Sequence, residues 1–239
     1  MGRMRPKESP QAVVFDVFGT LVDWYGSMSA HARRVAERAG VELDPDAFAT
    51  AWRRQYHPSL QTVISQGRPW CDLDRLQAES LPSVLAEFGV TLGAEDRAEL
   101  VAGWHRLDAW PGTPEALHRL RAHVPIASLS NGHVRLLLDL SRYAGLPFDT
   151  LLSAELAGTY KPDPAVYLMA ARLLGLEPGQ VMLVAAHPAD LAAAKRTGLA
   201  TGFVPRPAEW GPDTAPPSPP PEADLVGTDL DDLVIQITT

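Results

Sequence analysis

The chain has 239 residues, enough for one large domain or for a core domain that carries a substantial insertion. Its net charge of -8 argues against a nucleic-acid partner, and no apolar stretch approaches the roughly 20 residues that span a bilayer, so we expect no membrane partner. The single cysteine, Cys71, excludes an intramolecular disulfide and a cysteine-built zinc site, and it indicates a reducing, cytoplasmic location.

Short apolar runs that end at polar residues predict the strands of an α/β core. Continuous runs of this kind are typical of strands that are buried on both faces of a parallel sheet. Helical segments separate the runs; one begins at Asp163-Pro164 and another ends at Gly198. Strands that alternate with helices predict an open parallel sheet. The predicted strands are residues 12–15, 124–129, 181–186, 201–204 and 223–226.

Residues 24–108 have a different pattern. Apolar positions recur there at a spacing near 3.6 residues, as at Phe48, Trp52 and Tyr56, and no convincing strand appears. We therefore predict that this block is an all-helical cap, inserted after the first strand. The predicted core then comprises residues 11–23 and 109–239.

Two segments are predicted to lack regular secondary structure. Residues 1–10 are basic and polar with no apolar stretch behind the charges, so we expect a disordered lead-in and no secretory signal. Residues 205–221 contain eight prolines between two apparent core strands. We interpret this second segment as an extended surface loop that serves as a spacer.

Polar residues follow three of the predicted strands, at Asp16, Ser130 and His187. The carboxyl ends of parallel strands meet at one edge of a sheet, where ligands bind in folds of this kind. Lys161, just before a predicted helix, and Asp190, shortly after His187, are expected to join them. Each residue alone has an ordinary explanation, as a turn residue, a solvated cation or a helix-start residue. Their order and context together predict an active site.

Four segments resemble, in order, the motifs of the haloacid dehalogenase superfamily. They are residues 15–21 (FDVFGTL), 129–132 (LSNG), 160–163 (YKPD) and 184–190 (VAAHPAD). The four motifs in order are a far more specific signal than any one of them, and the resemblance covers nearly the whole chain. It implies a Rossmann-like core, an inserted cap and an ester intermediate on Asp16.

The side chains themselves suggest the chemistry. A carboxylate with a reference pKa of about 3.9 is ionised at neutral pH, so Asp16 needs no base to act as a nucleophile. A nearby Lys161 would keep Asp16 ionised and offset the negative charge of an anionic substrate. Asp190 would hold Lys161 or position the water that hydrolyses the ester.

Around these groups, backbone N–H donors and hydroxyls are expected to bind a substrate carboxylate or to orient the nucleophile. The N–H donors belong to residues 17–20. The predicted catalytic residues are Asp16, Lys161, Asp190, Ser130 and Thr20. The predicted substrate-binding residues are Val17, Phe18, Asn131, His187, Tyr56, His57 and Trp70.

The position of Phe18 favours dehalogenation over phosphate hydrolysis. Phosphatases of the superfamily place a second Asp there, which protonates the leaving alcohol, whereas phenylalanine transfers no proton and halide needs none. They also hold Mg²⁺ with acidic residues of the fourth motif, where this chain offers Asp190 alone. Both features resemble the 2-haloacid dehalogenases, which need no metal. Those enzymes have Ser and Asn where Ala185 and His187 align here.

The halide site departs further from that pattern. The best-known dehalogenases have an arginine on the first long cap helix that helps to accept the halide, and this chain has no clear equivalent. Arg53 and Arg54 are near but shifted, and Arg68 lies in the following loop. We predict a different halide pocket, formed by Tyr56, His57 and Trp70. The alternative explanation for these three residues is that they pack the cap against the core.

The sequence thus predicts hydrolytic displacement of halide from a short 2-haloalkanoic acid, giving a 2-hydroxy acid. The alternatives are a phosphatase of the same superfamily, with Mg²⁺ as its cofactor, and a catalytically weak binding protein of this fold. In the main prediction the partner is a small anionic substrate and there is no cofactor or metal. The halogen, the chain length, the enantiomer and the oligomeric state stay open, a homodimer included.

Overall fold

The computed structural model describes residues 9–215 and 217–239, and a six-stranded parallel sheet forms their centre. The strand order is β3-β2-β1-β4-β5-β6. The predicted α/β fold with an open parallel sheet is confirmed. The strands are β1 (Ala12–Phe15), β2 (Ile126–Ser130), β3 (Thr150–Ser153), β4 (Val181–Ala185), β5 (Ala200–Phe203) and β6 (Leu225–Val226).

The central strand β1 is entirely buried and pairs with β2 on one side and β4 on the other. Phe15 is level with Ser128 of β2 and with Val184 of β4. Because all three strands run in the same direction, the residues that follow them leave the sheet at one edge. The fold therefore brings Asp16 and His187 to the same place.

Two strands differ from the prediction. β3 was not predicted, because only Leu151 and Leu152 are apolar within Thr150–Ser153 and the strand lies at the partly exposed edge of the sheet. β6 has two paired residues, Leu225–Val226, instead of the predicted four, because it forms the opposite edge and only Gly202 and Phe203 pair with it. Edge strands have one neighbour and a weaker apolar pattern than central strands.

Five helices follow β1, and the described residues between Trp24 and Gly103 contain no strand. Aspartates cap three of these helices: Asp23, Asp44 and Asp72 each accept a hydrogen bond from a backbone N–H in the first turn. The helices are α1 (Trp24–Ala39), α2 (Pro45–Arg54), α3 (Tyr56–Ile64), α4 (Leu73–Glu87) and α5 (Ala94–Gly103). We call them the helical insertion.

The chain enters and leaves the helical insertion at adjacent points. The N–H of Asp23 donates a hydrogen bond of 2.9 Å to the carbonyl of Asp108, and Val22 forms an antiparallel bridge with Ala109. These positions lie close to the predicted boundaries between core and cap. The division of the chain into two domains at these boundaries remains a proposal.

Five further helices flank the sheet. They are α6 (Thr113–Arg121), α7 (Val134–Tyr143), α8 (Pro164–Leu174), α9 (Pro188–Arg196) and α10 (Leu230–Thr238). The predicted helix start at Asp163 is confirmed, since its carboxylate accepts a hydrogen bond of 2.9 Å from the N–H of Ala165. No helix in the described part of the chain is both long and apolar enough to cross a bilayer.

The proline-rich segment does more than connect two strands. Residues 205–215 and 217–221 contain neither helix nor strand, as predicted. However, Glu209 is 3% exposed, and the Trp210 ring packs edge-on against Trp24 with 4.8 Å between centroids. The interpretation of this segment as a surface spacer is therefore wrong for its first half, which packs against the helical insertion. The predicted lead-in falls mainly on residues 1–8, which lie outside the described residues.

Candidate active site

Asp16 follows the central strand β1, and 12% of its side chain is exposed. The Thr20 hydroxyl donates a hydrogen bond of 2.7 Å to Oδ2 of Asp16 and accepts one of 3.0 Å from the N–H of Ala186. The loop between Asp16 and Thr20 turns at Gly19, whose φ of +82° favours glycine. A side chain at Gly19 would also collide with Glu209. The turn thus orients the Asp16 carboxylate and leaves room for a second one.

Lys161 lies between two carboxylates. Its Nζ is 3.4 Å from Oδ1 of Asp16 and donates a hydrogen bond of 2.7 Å to Oδ2 of Asp190. The Tyr167 hydroxyl donates a bond of 2.6 Å to the other oxygen of Asp190, and the side-chain oxygen of Asn131 accepts one of 2.8 Å from the Lys161 N–H. The structure therefore brings Lys161 and Asp190 to Asp16, and Tyr167 and Asn131 hold them there.

His187 provides a second cation beside Asp16. Its Nδ1 is 3.0 Å from Oδ2 of Asp16, and its Nε2 is 2.9 Å from Oε1 of Glu209. A carboxylate faces each ring nitrogen, so both nitrogens carry hydrogen and the ring is an imidazolium. The indole N–H of Trp24 donates a further bond of 3.1 Å to Glu209.

These contacts set the ionisation of the site. Burial by itself raises the pKa of Asp16, but the charge of Lys161 and the hydrogen bond from His187 outweigh it and hold that pKa well below its usual range. Burial disfavours the cation at His187, yet Asp16 and Glu209 raise its pKa to about 10. Burial also opposes the charge on Lys161, and Asp190 and Asp16 overcome it, so the pKa of Lys161 is raised. At neutral pH a carboxylate therefore faces two cations.

Asp16 lies in the wall of an open cavity of about 870 Å³. Five cationic side chains line this cavity against three carboxylates, an excess of two positive charges in a chain whose net charge is -8. Such a local field attracts a small anion. The cations are Arg53, Lys161, His187, Arg196 and Arg206, and the carboxylates are Asp16, Asp190 and Glu209.

Helices α2 and α3 provide the wall on the side of the helical insertion. The guanidinium of Arg53 lies 4.2 Å from the centroid of the Tyr56 ring, and the Tyr56 hydroxyl accepts a hydrogen bond of 2.9 Å from Nδ2 of Asn131. Burial and the charge of Arg53 lower the pKa of His57, so this ring is neutral at neutral pH. Arg53, Tyr56 and His57 thus bring N–H and O–H groups to the cavity.

The turn after Asp16 offers backbone donors. The Val17 side chain is buried, whereas the Phe18 ring lines the cavity and packs edge-on against Trp104 with 6.4 Å between centroids. Within residues 9–215 and 217–239, the N–H groups of Val17 and Phe18 donate no hydrogen bond. They are free to bind an oxygen of a ligand.

Four of the predicted site residues do not line the cavity: Val17 and Thr20, in the turn after Asp16, and Trp70 and Ser130. The Trp70 ring packs against Tyr160 with 6.3 Å between centroids, and Tyr160 is fixed by a hydrogen bond to the carbonyl of Cys71. This placement does not support the prediction that Trp70 binds substrate. Ser130 is fully buried, and its hydroxyl accepts a hydrogen bond of 3.2 Å from the N–H of Gly132, so it shapes the loop behind the cavity wall.

Sequence reasoning missed three of the residues that complete the site. Glu209 lies in the proline-rich segment, where no motif marks it. Tyr167 reads as an ordinary apolar position of α8, although it contacts Asp190. Arg53 was set aside as shifted from the expected arginine, yet it lines the cavity. Arg53 is buried whereas the neighbouring Arg54 is exposed, and only the structure reveals this difference.

The donor set around Asp16 does not fit a divalent cation. Asp16 and Asp190 are the carboxylates of this wall that would share an Mg²⁺ ion, and the ammonium of Lys161 bridges them. Oδ2 of Asp16 is engaged by Thr20 and His187. A metal between these carboxylates would have to displace Lys161.

Comparison with known proteins assigns the family. The family model for haloacid dehalogenase-like hydrolases matches residues 10–198. The (S)-2-haloacid dehalogenase 4A of Burkholderia cepacia is 32% identical over 81% of this chain and 82% of its own length. The crystal structure of the defluorinating L-2-haloacid dehalogenase Rha0230 superposes with a TM-score of 0.94 at 40% identity and covers 100% of both chains.

A third similar structure holds a covalent ligand. It is the L-2-haloacid dehalogenase of Xanthobacter autotrophicus with chloropropionic acid covalently bound, with a TM-score of 0.79 and 26% identity over 95% of this chain and 98% of that one. Three findings agree on the family: the family model matches most of the chain, the relatives are dehalogenases of this family, and the fold is shared. The chain belongs to the haloacid dehalogenase-like hydrolases.

Proposed function

We propose that this hydrolase displaces halide from short (S)-2-haloalkanoic acids through an ester on Asp16, giving 2-hydroxy acids. The observation that carries the proposal is an ionised Asp16 carboxylate, held between Lys161 and His187, in the wall of a cationic cavity. The named substrates of the relatives and the covalent chloropropionic acid in one of them support the same substrate class.

The substrate carboxylate is assigned to the turn after the nucleophile. The N–H groups of Val17 and Phe18 are free to donate to it, and the positive excess of the cavity wall balances its charge. Held there, the acid presents its halogen-bearing carbon to Asp16. The halide then points to Arg53, Tyr56 and His57, whose N–H and O–H groups solvate it as it leaves.

In the first step we assign Oδ1 of Asp16 as the attacking atom. Oδ2 is engaged by two hydrogen bonds of 2.7 Å and 3.0 Å, whereas Oδ1 has only Lys161 at 3.4 Å. The oxygen with fewer hydrogen bonds is the stronger nucleophile. A bond forms from Oδ1 to the substrate carbon from the side opposite the halogen, and the halide leaves with the bonding electron pair. The carbon is inverted.

In the second step water attacks the Asp16 carbonyl carbon. Negative charge then develops on Oδ2, where the Thr20 hydroxyl and the His187 N–H already donate, so these two groups form an oxyanion hole for ester hydrolysis. Asp190 takes the proton of the water. Cleavage of the bond from the carbonyl carbon to Oδ1 releases the 2-hydroxy acid, which keeps Oδ1 as its hydroxyl oxygen and takes up the proton that Asp190 accepted. The second proton of the water passes to solvent, and Asp16 returns to its carboxylate form.

The phosphatase alternative is less consistent with this geometry. Phe18 occupies the position of the expected proton donor, and the Lys161 ammonium bridges the carboxylates that Mg²⁺ would need. Without a proton donor, the alcohol of a phosphate monoester would have to leave as an alkoxide.

The test measures halide release from the two enantiomers of 2-chloropropionate, and from fluoro-, chloro- and bromoacetate, in the presence of a chelator. We expect turnover of (S)-2-chloropropionate at the same rate with chelator as without it, and none with Asp16→Asn. Efficient Mg²⁺-dependent release of phosphate from a sugar phosphate would contradict the proposal. If neither halide nor phosphate is released from these substrates, but 2-chloropropionate stabilises the fold, the chain would be a binding protein.

A further inference from the structure

We propose that Asp74, His105 and His133 form a binding site for a divalent cation such as Zn²⁺, away from the active-site cavity. Asp74 lies in the first turn of α4, His105 follows the end of α5, and His133 precedes α7 at its N-cap. None of the three lines the cavity that contains Asp16. The site therefore joins the helical insertion to a helix that flanks the sheet.

The distances fit a zinc-sized ion. Nε2 of His105 is 3.0 Å from Oδ1 of Asp74, and Nε2 of His133 is 3.7 Å from Oδ2 of the same carboxylate. One ligand atom from each residue lies within 4.8 Å of the other two. In a tetrahedral zinc site with bonds of about 2.0–2.2 Å, ligand atoms are about 3.4 Å apart. The observed separations lie on either side of that value, so small side-chain rotations admit the ion.

A second carboxylate, that of Asp139, contacts the other ring nitrogen of His105. Nδ1 of His105 is 3.0 Å from Oδ2 of Asp139, which accepts a bond of 2.8 Å from Nε of Arg135. Metal-binding histidines commonly donate their other ring N–H to a carboxylate, which fixes the ring and makes the coordinating nitrogen more basic. This contact holds the His105 ring with Nε2 beside Asp74, and a bound ion would displace the Nε2 hydrogen that now faces the Asp74 carboxylate.

His133 gives the independent observation. It is 7% exposed, and neither ring nitrogen makes a hydrogen bond within residues 9–215 and 217–239. A buried imidazole without partners is costly, and here its Nε2 faces a carboxylate. A cation bound between Nε2 of His133 and the Asp74 carboxylate gives both a ligand partner, while Nδ1 stays without a hydrogen bond within the described residues. With His105 it has three protein ligands of the types that zinc prefers, and water completes the tetrahedron.

A bound ion would act as a clamp between the two parts of the chain. Asp74 and His105 belong to the helical insertion, and His133 belongs to the loop that also carries Asn131. Because the ion binds only the folded arrangement, it raises the stability of the fold by mass action. This inference does not depend on the chemistry at Asp16.

The experiment uses the full-length chain, stripped with a chelator and dialysed. ZnCl₂ is titrated by calorimetry, and CoCl₂ is followed by its visible absorption, which reports tetrahedral coordination. We expect saturable binding of one ion per chain. His105→Ala and Asp74→Asn should weaken binding by on the order of a hundredfold, and Asp139→Asn, which removes the carboxylate behind His105, by about tenfold. The matched control is His123→Ala, an exposed histidine outside the cluster, which should bind like the unaltered chain.

Far-ultraviolet circular dichroism establishes that each variant is folded. If His105→Ala does not fold, Asp74→Asn provides the same test, since Asp74 is half-buried at the rim of the cluster. Absence of saturable binding to the unaltered chain would overturn the proposal and leave the cluster as an ion pair of His105 with Asp74 and Asp139. Equal binding by the unaltered chain and by Asp74→Asn would overturn it as well.

Discussion

The Lys161 ammonium carries its charge where 7% of the side chain is exposed. Removing it leaves the carboxylates of Asp16 and Asp190 close together with no cation between them, so their mutual repulsion is no longer offset. We predict that Lys161→Met lowers kcat/KM for 2-chloropropionate at least about a hundredfold and lowers the free energy of unfolding by about 3 kcal/mol. Halide release and urea unfolding measure the two effects.

Lys195 offers a matched control for that variant. It is also ion-paired, with Asp224, but it is not part of the cavity wall. Lys195→Met should leave kcat/KM within about twofold of the unaltered chain. Equal activity of Lys161→Met and Lys195→Met would mean that Lys161 is not needed for the reaction.

His187 makes stability depend on pH in a defined direction. Its pKa rises from the usual 6.5 in the unfolded chain to about 10 in the fold, so its charged contacts stabilise the fold fully below about pH 6.5. That contribution is lost as the pH rises through about 10. We predict that the difference in unfolding free energy between the unaltered chain and His187→Gln shrinks steadily from about pH 6 to about pH 10. Urea unfolding at a series of pH values measures it, and a constant difference would contradict the assignment.

Motifs predicted part of the site, and long-range packing decided the rest. Asp16, Lys161, His187 and Asp190 lie at strand ends or helix starts, so their convergence follows from the parallel sheet. Glu209 reaches His187 from a segment without regular structure, and no local pattern encodes that approach.

At the level of helices and strands, central and edge elements differ in how well the sequence predicts them. The strands β1 and β4 are buried along their whole length, and their apolar runs match the observed bounds to within a residue. The edge strand β3 has only two central apolar residues, so no run marks it. The helices of the insertion were predicted as a block, but not the break at Gln55, which separates α2 from α3.

The end of α2 provides a matched pair of arginines. Arg53 is buried and its planar guanidinium stacks on Tyr56, whereas Arg54 is exposed. Lysine reproduces the charge of Arg53 but neither its planar shape nor its array of donors. We predict that Arg53→Lys lowers kcat/KM for 2-chloropropionate by about ten- to a hundredfold, and that Arg54→Lys leaves it unchanged. Steady-state halide release measures both, and equal losses would remove Arg53 from the halide site.

For the whole molecule, the chain enters and leaves the helical insertion at adjacent points. This arrangement suggests that the insertion moves as a lid. Asp23 and Asp108 are hydrogen-bonded to each other at these points, and the insertion covers the cavity through α2 and α3. We predict that binding of a substrate analogue slows hydrogen exchange at residues near Asp23 and Trp110, because closure orders these connections. Mass-detected exchange with Asp16→Asn and 2-chloropropionate measures this. Exchange that does not respond to the ligand would count against a moving lid.

The path of oxygen from water to product distinguishes an ester on Asp16 from direct attack by water. A single turnover of (S)-2-chloropropionate is carried out in ¹⁸O-water with enzyme in excess, and mass spectrometry measures the label in the product and in the peptide that contains Asp16. Hydrolysis of the ester leaves the water oxygen on Asp16, and the product takes its hydroxyl oxygen from the unlabelled carboxylate. We therefore expect labelled Asp16 and an unlabelled 2-hydroxy acid. Label in the product of that first turnover would contradict it and would show direct attack by water.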